Sequence, residues 1–541
     1  MGPRAAYAEL IRRSRELATL ASCSAVLGWD EQTYMPPGGA QARGDQMALL
    51  AGLHHERATD PRVGELLGDV EGSDLVTGSD SPEAANVREL RRDYDRRNRL
   101  PRSLVEELAK TTTIAQQEWV AARQGKNFPQ FRPWLEAIFA LKRREAECLG
   151  AGNTGPGNPP RRMREAPRSG EVEGVGAFHA PDRDEVGIAF ETPYDALLDE
   201  YEPGARARDL AAGFDALRRE VVPLVDAIAG SGRRPDPTIL DRDFPVDRQK
   251  LLGEMVAAAV GFDFRRGRLD TTAHPFCSGI GPGDCRITTR YNPRDFGESF
   301  FGVLHEVGHG LYEQGLAPGH AGTPMGEAAS LGIHESQSRL WENAVGRGRP
   351  FWAYWLPVAR RVFRESLGDV DPEAFHFAIN RVAPSPIRVQ ADEVTYNLHI
   401  LARFDLERAL LGGDLAVGDL PGAWAEVYRK YLGITPADDA EGCLQDIHWA
   451  AGLVGYFPTY TLGNLFAAQL FARAREDLAG LDRSVARGDF AGLLGWLQSR
   501  IHAEGRRFRS AALVERATGA APDHRPLVRS LRQKYGELYG I

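Results

Sequence analysis

A mainly α-helical protein is what the sequence predicts, on three observations. Apolar residues recur at helical spacing through most of the 541 residues. Only one stretch, residues 284–291, alternates in the two-residue period of a strand. Hydrophobic residues make up 43% of the chain, enough to bury a large core between helices.

Taken in order, residues 7–20, 41–53, 81–99, 103–124 and 131–149 carry amphipathic helical patterns. A polar connection rich in Pro and Gly, residues 27–39, separates the first two. Residues 150–191 are rich in Gly, Pro and Arg with little periodicity, and read as an exposed, disorder-prone loop insertion. Helices resume at 193–202 and 205–231. The strand follows, with Arg286, Thr288 and Arg290 alternating with Cys285, Ile287 and Thr289. Further helical segments, including 460–479, run on from there. No internal repeat interrupts the pattern, and residues 1–541 read as one helical domain.

The helix after the strand carries the most informative string, His305-Glu306-Val307-Gly308-His309. Asp295 and Glu298 form a capping-box pattern at its start. Phe300, Phe301, Val303, Leu304, Val307 and Leu311 give it a broad apolar face. Two histidines four apart project from one side of a helix, with Cβ atoms about 5–6 Å apart. Both can then bind one ion at Zn–N distances of about 2.0–2.1 Å. Glu306 can reach the open coordination position as a base, so the string reads as the zinc centre of a peptidase. The plainer alternative is a buried helix with satisfied core histidines. Gly308 and Gly310 each cost roughly 1 kcal/mol of helix propensity, which makes sense if another backbone or a substrate approaches there.

A catalytic zinc takes three protein ligands and keeps one position open. Residues 325–333 read as the start of a second buried helix, from which Glu335 would face the first. Glu335 is the leading third ligand, with His320, Glu327 and His334 as rivals.

Composition narrows the partners. A net charge of -9 and a pI near 5.9 argue against nucleic acid, whose phosphates demand a basic surface. No run is apolar enough to span a bilayer, and the mean hydropathy is -0.36. The first residues lack the apolar core of a signal peptide. Five cysteines without Cys-x-x-Cys spacing fit a reducing compartment. A cytoplasmic location is expected.

Several further strings occur in series. His274-Pro275-Phe276 and Asp284-Cys285-Arg286-Ile287-Thr288 precede the histidine helix. His334-Glu335-Ser336-Gln337, Ile387-Arg388-Val389-Gln390-Ala391-Asp392 and Gly442-Cys443-Leu444-Gln445-Asp446-Ile447-His448-Trp449 follow it. The series resembles the carboxypeptidase Taq family of zinc metallocarboxypeptidases over nearly the whole chain, departing from it at the 150–191 insertion. That resemblance implies a large two-lobed helical fold with a long central groove and a small antiparallel sheet next to the zinc site. It also implies release of C-terminal residues from peptides with broad specificity, one Zn2+ per chain (with Co2+ or another divalent ion as substitutes), and a homodimer. Carried over by motif, His305, His309 and Glu335 bind the ion and Glu306 is the general base.

Removing a C-terminal residue requires recognition of a free carboxylate, which the guanidinium fork does best. Arg388 is the first choice and Arg286 the second, each with a plainer alternative as the salt-bridge partner of Asp392 or Asp284. His448, Tyr456 and Tyr460 are candidates for stabilising the oxyanion, or simply pack the wall of the site. His274, before a proline, is placed to touch substrate or to cap a helix. The rival readings are a zinc endo-oligopeptidase on a similar scaffold, an aminopeptidase, and a non-catalytic protein with structural zinc. The aminopeptidase is disfavoured by the lack of a Gly-x-Met-Glu-Asn string. The structural site is disfavoured because no cysteine lies at suitable spacing near the histidines.

Overall fold

Helical periodicity becomes helical structure almost throughout the computed structural model, which describes residues 1–78, 80–151 and 190–541. Nearly all of the expected insertion at 150–191 thus lies outside the described residues. The first helices are α1 (Pro3–Thr33), α2 (Ala40–Ala58), α3 (Pro61–Glu71), α4 (Pro82–Arg99), α5 (Arg102–Gln124) and α6 (Phe128–Cys148). After them come α7 (Pro193–Tyr201), α8 (Ala207–Gly230) and α9 (Val246–Val260). Three strands, β1 (Gly267–Thr271), β2 (Cys277–Gly281) and β3 (Asp284–Thr289), precede α10 (Phe296–Gly315) and α11 (Leu331–Arg339). Among the described residues, no helix is long and apolar enough to cross a membrane.

Three sequence expectations shift. The connection expected at 27–39 shrinks to a turn and a short 3-10 segment, because α1 continues to Thr33. Its last turns are held by Trp29, which is buried and carries the Arg286 guanidinium 4.3 Å from its ring centre. The second metal-side helix starts at Leu331, not Met325, because Ser330 caps it by accepting from the Ile333 N–H. The sheet is mixed, not purely antiparallel. Its order is β1-β3-β2, with β1 parallel to β3 and β2 antiparallel to it.

Packing gathers the chain into two compact units whose segments interleave along the sequence. The first comprises 1–98, 234–381 and 466–519; the second comprises 99–233, 382–465 and 520–541. In the first, α10 lies on β3, whose Ile287, Thr288 and Thr289 are fully buried. The close fit rests on Gly310: a Cβ there would meet the Phe262 ring at 2.7 Å and the Ile287 side chain at 3.3 Å. In the second unit, α7 and α8 pack on the helix Tyr396–Gly412. Edge-on contacts of Tyr194 and Phe214 with Phe404 join them, at centroid separations of 5.5 and 5.1 Å.

Candidate active site

The histidine helix α10 is fixed before its histidines matter. The Asp295 side chain accepts from the Gly297 and Glu298 N–H groups at 2.7 and 3.1 Å, which satisfies two of the orphan donors at the helix start. The reciprocal half of the expected capping box does not form, because Glu298 accepts from Arg290 instead. Phe296 and Phe300 stack at 5.3 Å, and the Trp352 ring lies 5.0 Å from Phe300. Phe301, Val303, Leu304, Val307 and Leu311 are also buried. Each such side chain contributes about 1.5–3 kcal/mol, so the helix is a rigid platform.

On that platform, His305 and His309 face α11. Their Nε2 atoms lie 3.7 and 3.4 Å from the same Glu335 carboxylate oxygen, Oε2. Among the described residues, the only group of three or more ligating side chains that could hold an ion is His305, His309 and Glu335, with ligand atoms all within 4.8 Å of one another. Tetrahedral bonds of about 2.0–2.2 Å place donor atoms about 3.3–3.6 Å apart. The 3.4 Å separation from His309 falls in that range and the 3.7 Å separation from His305 is just beyond it, so these residues fit a divalent cation.

The surrounding groups set the donors' orientation. Nδ1 of His305 lies 2.9 Å from Glu342, which directs the Nε2 lone pair toward Glu335. Burial pushes against the His305 cation, but Glu335 and Glu342 raise its pKa overall. Burial, reinforced by His334, lowers His309 to about 3, keeping it a neutral donor. Burial also works against the Glu335 charge, yet Arg339 and His305 hold it well below the usual carboxylate range. Arg339 Nε donates to Glu335 Oε1 at 2.7 Å, leaving Oε2 to the histidines. Glu306 is 6% exposed, and burial pushes its carboxyl up to about 7, within reach of a proton exchange at neutral pH.

A separate polar cluster forms in the second unit. Arg388 donates from Nε and Nη2 to Asp446 Oδ1 at 2.9 and 2.8 Å and from Nη1 to Tyr396 at 3.1 Å. Arg403, fully buried, donates to Asp446 Oδ2 at 2.7 Å. Burial opposes the Asp446 charge, but two guanidiniums hold it well below the usual range. His448 Nε2 lies 3.2 Å from the Tyr460 hydroxyl, and burial lowers this imidazole to about 4. The Tyr456 ring lies 5.5 Å from both His448 and Tyr460.

Placed against the sequence, His305, Glu306, His309 and Glu335 gather in the first unit, and Arg388, His448, Tyr456 and Tyr460 gather in the second. Of the rival third ligands, His334 contacts His309 at its outer nitrogen. Glu327 instead pairs with Arg506. The two arginines differ. Arg286 is held by both oxygens of Asp284, its plainer alternative, whereas Arg388 is not held by Asp392, which caps the turn at Val394 and Thr395. His274 is exposed in the loop between β1 and β2. Glu342, Arg339, Glu313 and Arg403 were not singled out from the sequence. A helical-wheel reading could have found two of them: Glu313 is four residues beyond His309, and Arg339 four beyond Glu335.

A family model described as "Carboxypeptidase Taq (M32) metallopeptidase" matches residues 9–156 and 185–535. Thermostable carboxypeptidase 1 of Thermus thermophilus is 51% identical over 540 residues, covering 100% of each chain. Carboxypeptidase 1 of Bacillus subtilis is 33% identical, covering 98% of each. Among solved structures, the M32 carboxypeptidase of Deinococcus radiodurans superposes with a TM-score of 0.89 at 39% identity, covering 99% of this chain and 100% of that one. A Pyrococcus furiosus carboxypeptidase superposes with a TM-score of 0.87 at 34% identity, covering 98% and 99%.

Proposed function

Because the chain belongs to the carboxypeptidase Taq (M32) family and is a metallocarboxypeptidase, we propose that His305, His309 and Glu335 hold a zinc ion and that Glu306 is the general base. The observation that carries this is the convergence of two imidazole Nε2 atoms on one oxygen of Glu335. When bound, the ion supplies Lewis acidity, acidifying a water and polarising the scissile carbonyl. Glu306 takes the proton of the attacking water and returns it to the leaving amine. Its buried carboxyl, raised to about 7, suits both transfers near neutral pH.

Substrate recognition falls to the second cluster. Arg388 shares Asp446 with Arg403, so two guanidiniums face one carboxylate there, a setting that favours an incoming anion such as a peptide C-terminus. The Tyr460 and Tyr456 hydroxyls and His448 are the donors offered to the oxyanion, with Arg286 and His274 as outer substrate contacts. Broad tolerance for the released residue completes the reading, as do a homodimer and a cytoplasmic location. The net charge of -9 supports peptide over nucleic-acid partners, and no membrane partner is proposed.

Paired peptides with free and amidated C-termini test it. The free acid is expected to lose one residue at a time, and the amide to resist. Rapid internal cleavage of the amide would favour an endo-oligopeptidase instead. Chelator treatment should abolish turnover, and readdition of Zn2+, or of Co2+ as the alternative ion, identifies which metal restores it.

A further inference from the structure

The two histidines of the proposed site are braced differently. His305 meets a carboxylate directly, through Glu342 at 2.9 Å. His309 meets a second imidazole, with Nδ1 2.5 Å from Nδ1 of His334. The other nitrogen of His334, Nε2, lies 2.9 Å from Glu313 Oε1. The His334 ring is tilted by 33° to that of His309, 4.5 Å away, and sits 5.4 Å from Tyr312, so its plane is fixed by packing as well as by polar contacts.

Proton placement along this row follows from its inner end. His309 must present a lone pair at Nε2, toward Glu335, so its proton sits on Nδ1. His334 then accepts at Nδ1 and carries its own proton on Nε2. That proton points at Glu313, which as a carboxylate can only accept. Every position in the row has a complementary donor and acceptor in one arrangement of protons. A carboxylate at the outer end makes His334 a better acceptor, and His309 in turn a more basic ligand.

We propose that His334 and Glu313 are positioning residues for the metal centre, a two-step relay that fixes the tautomer, orientation and basicity of His309. This rests on the reading of His305, His309 and Glu335 as the ligand set. His334, which the sequence offers as a rival ligand, acts instead one shell out. Glu313 lines a cavity of about 640 Å3, together with Arg15, Ser22, Arg266 and Glu327, and Gly279 on β2 makes room for it. A Cβ at position 279 would stand 2.3 Å from Glu313 Oε2. Gly279→Ala therefore displaces the end of the Glu313 side chain without substituting either residue of the relay.

The test is metal affinity of the full-length apo protein, measured with Zn2+ against a chromophoric chelator and with Co2+ by its d–d absorption. Glu313→Ala and His334→Phe are expected to bind about 10–100-fold more weakly and to shift the Co2+ spectrum. The phenylalanine keeps the ring packing and removes both nitrogens. Gly279→Ala should reproduce the direction of the Glu313→Ala effect, while thermal unfolding of the apo protein stays close to wild type. Wild-type affinity and spectrum in Glu313→Ala and His334→Phe would overturn the relay. His305→Ala separates the two ideas. If it binds Zn2+ as tightly as wild type, the ligand set itself is wrong and the relay falls with it.

Discussion

Gly308 and Ser338 bring α10 and α11 so close that a methyl group on residue 308 would stand 2.5 Å from the Ser338 Cα. The same methyl would meet the Gln337 carbonyl oxygen at 2.5 Å. This close approach sets Glu335, one turn away, opposite the two histidines. Both obstacles are backbone atoms, which cannot swing aside, so Gly308→Ala must push the helices apart. It should destabilise the protein by about 1–3 kcal/mol and weaken Zn2+ binding. Urea unfolding of the apo protein together with metal titration checks both, and an unchanged metal affinity would show that ligand spacing does not depend on this contact.

Glu306→Gln keeps the shape of the buried side chain and removes its ability to take a proton. We expect kcat to fall by about 10²–10⁴, with KM and bound metal essentially unchanged. Metal content is read by elemental analysis alongside the kinetics. Unchanged turnover would end its assignment as base.

Arg388→Lys keeps a positive charge and loses the planar fork. Asp446 stays compensated through Arg403, so the fold should tolerate the change. Loss of charge-assisted hydrogen bonds worth about 1.5–3 kcal/mol corresponds to roughly 10–100-fold in kcat/KM. The loss should appear for peptides with a free C-terminus and not for slow residual cleavage of amidated ones. An equal loss on both would point to a structural role for Arg388.

Glu407, buried in the second unit, accepts from Tyr194 and Trp449, both at 2.7 Å, and from the Gly455 N–H at 3.2 Å. Burial nonetheless lifts its carboxyl from 4.5 to about 7. The folded chain then holds this proton more tightly than the unfolded chain does. The group's contribution to stability is fully present below about pH 4.5 and is lost as pH rises to about 7, amounting to about 3 kcal/mol. Urea midpoints at pH 5 and pH 8 should therefore fall further for the wild type than for Glu407→Gln. A parallel fall in both would place the titration of Glu407 outside that window.

Local patterns carried much of this molecule into view. The string at 305–309, its apolar face and the Asp295 cap are all short-range features, and each forms as the periodicity predicts. The glycines at 308 and 310 also signalled close approach, and the neighbours are the α11 backbone and the Phe262 and Ile287 side chains. What escaped depends on distance along the chain. Glu342, 37 residues from His305, sits within a π-helical turn, Leu340–Val345, whose shifted register hides it from a 3.6-residue count. The strands β1 and β2 were missed because Gly267, Gly279 and Gly281 dilute their apolar alternation. The Arg388–Asp446 pair joins two strings 58 residues apart, and no spacing rule links them.

The braided order of the two units constrains how the chain can be made and cut. The unit that bears the histidines is unfinished until residues 466–519 have been synthesised, long after the ligands themselves have left the ribosome. Its nascent form must wait with apolar surface uncovered, a natural client for a chaperone. For the same reason, no single proteolytic nick can release that unit whole.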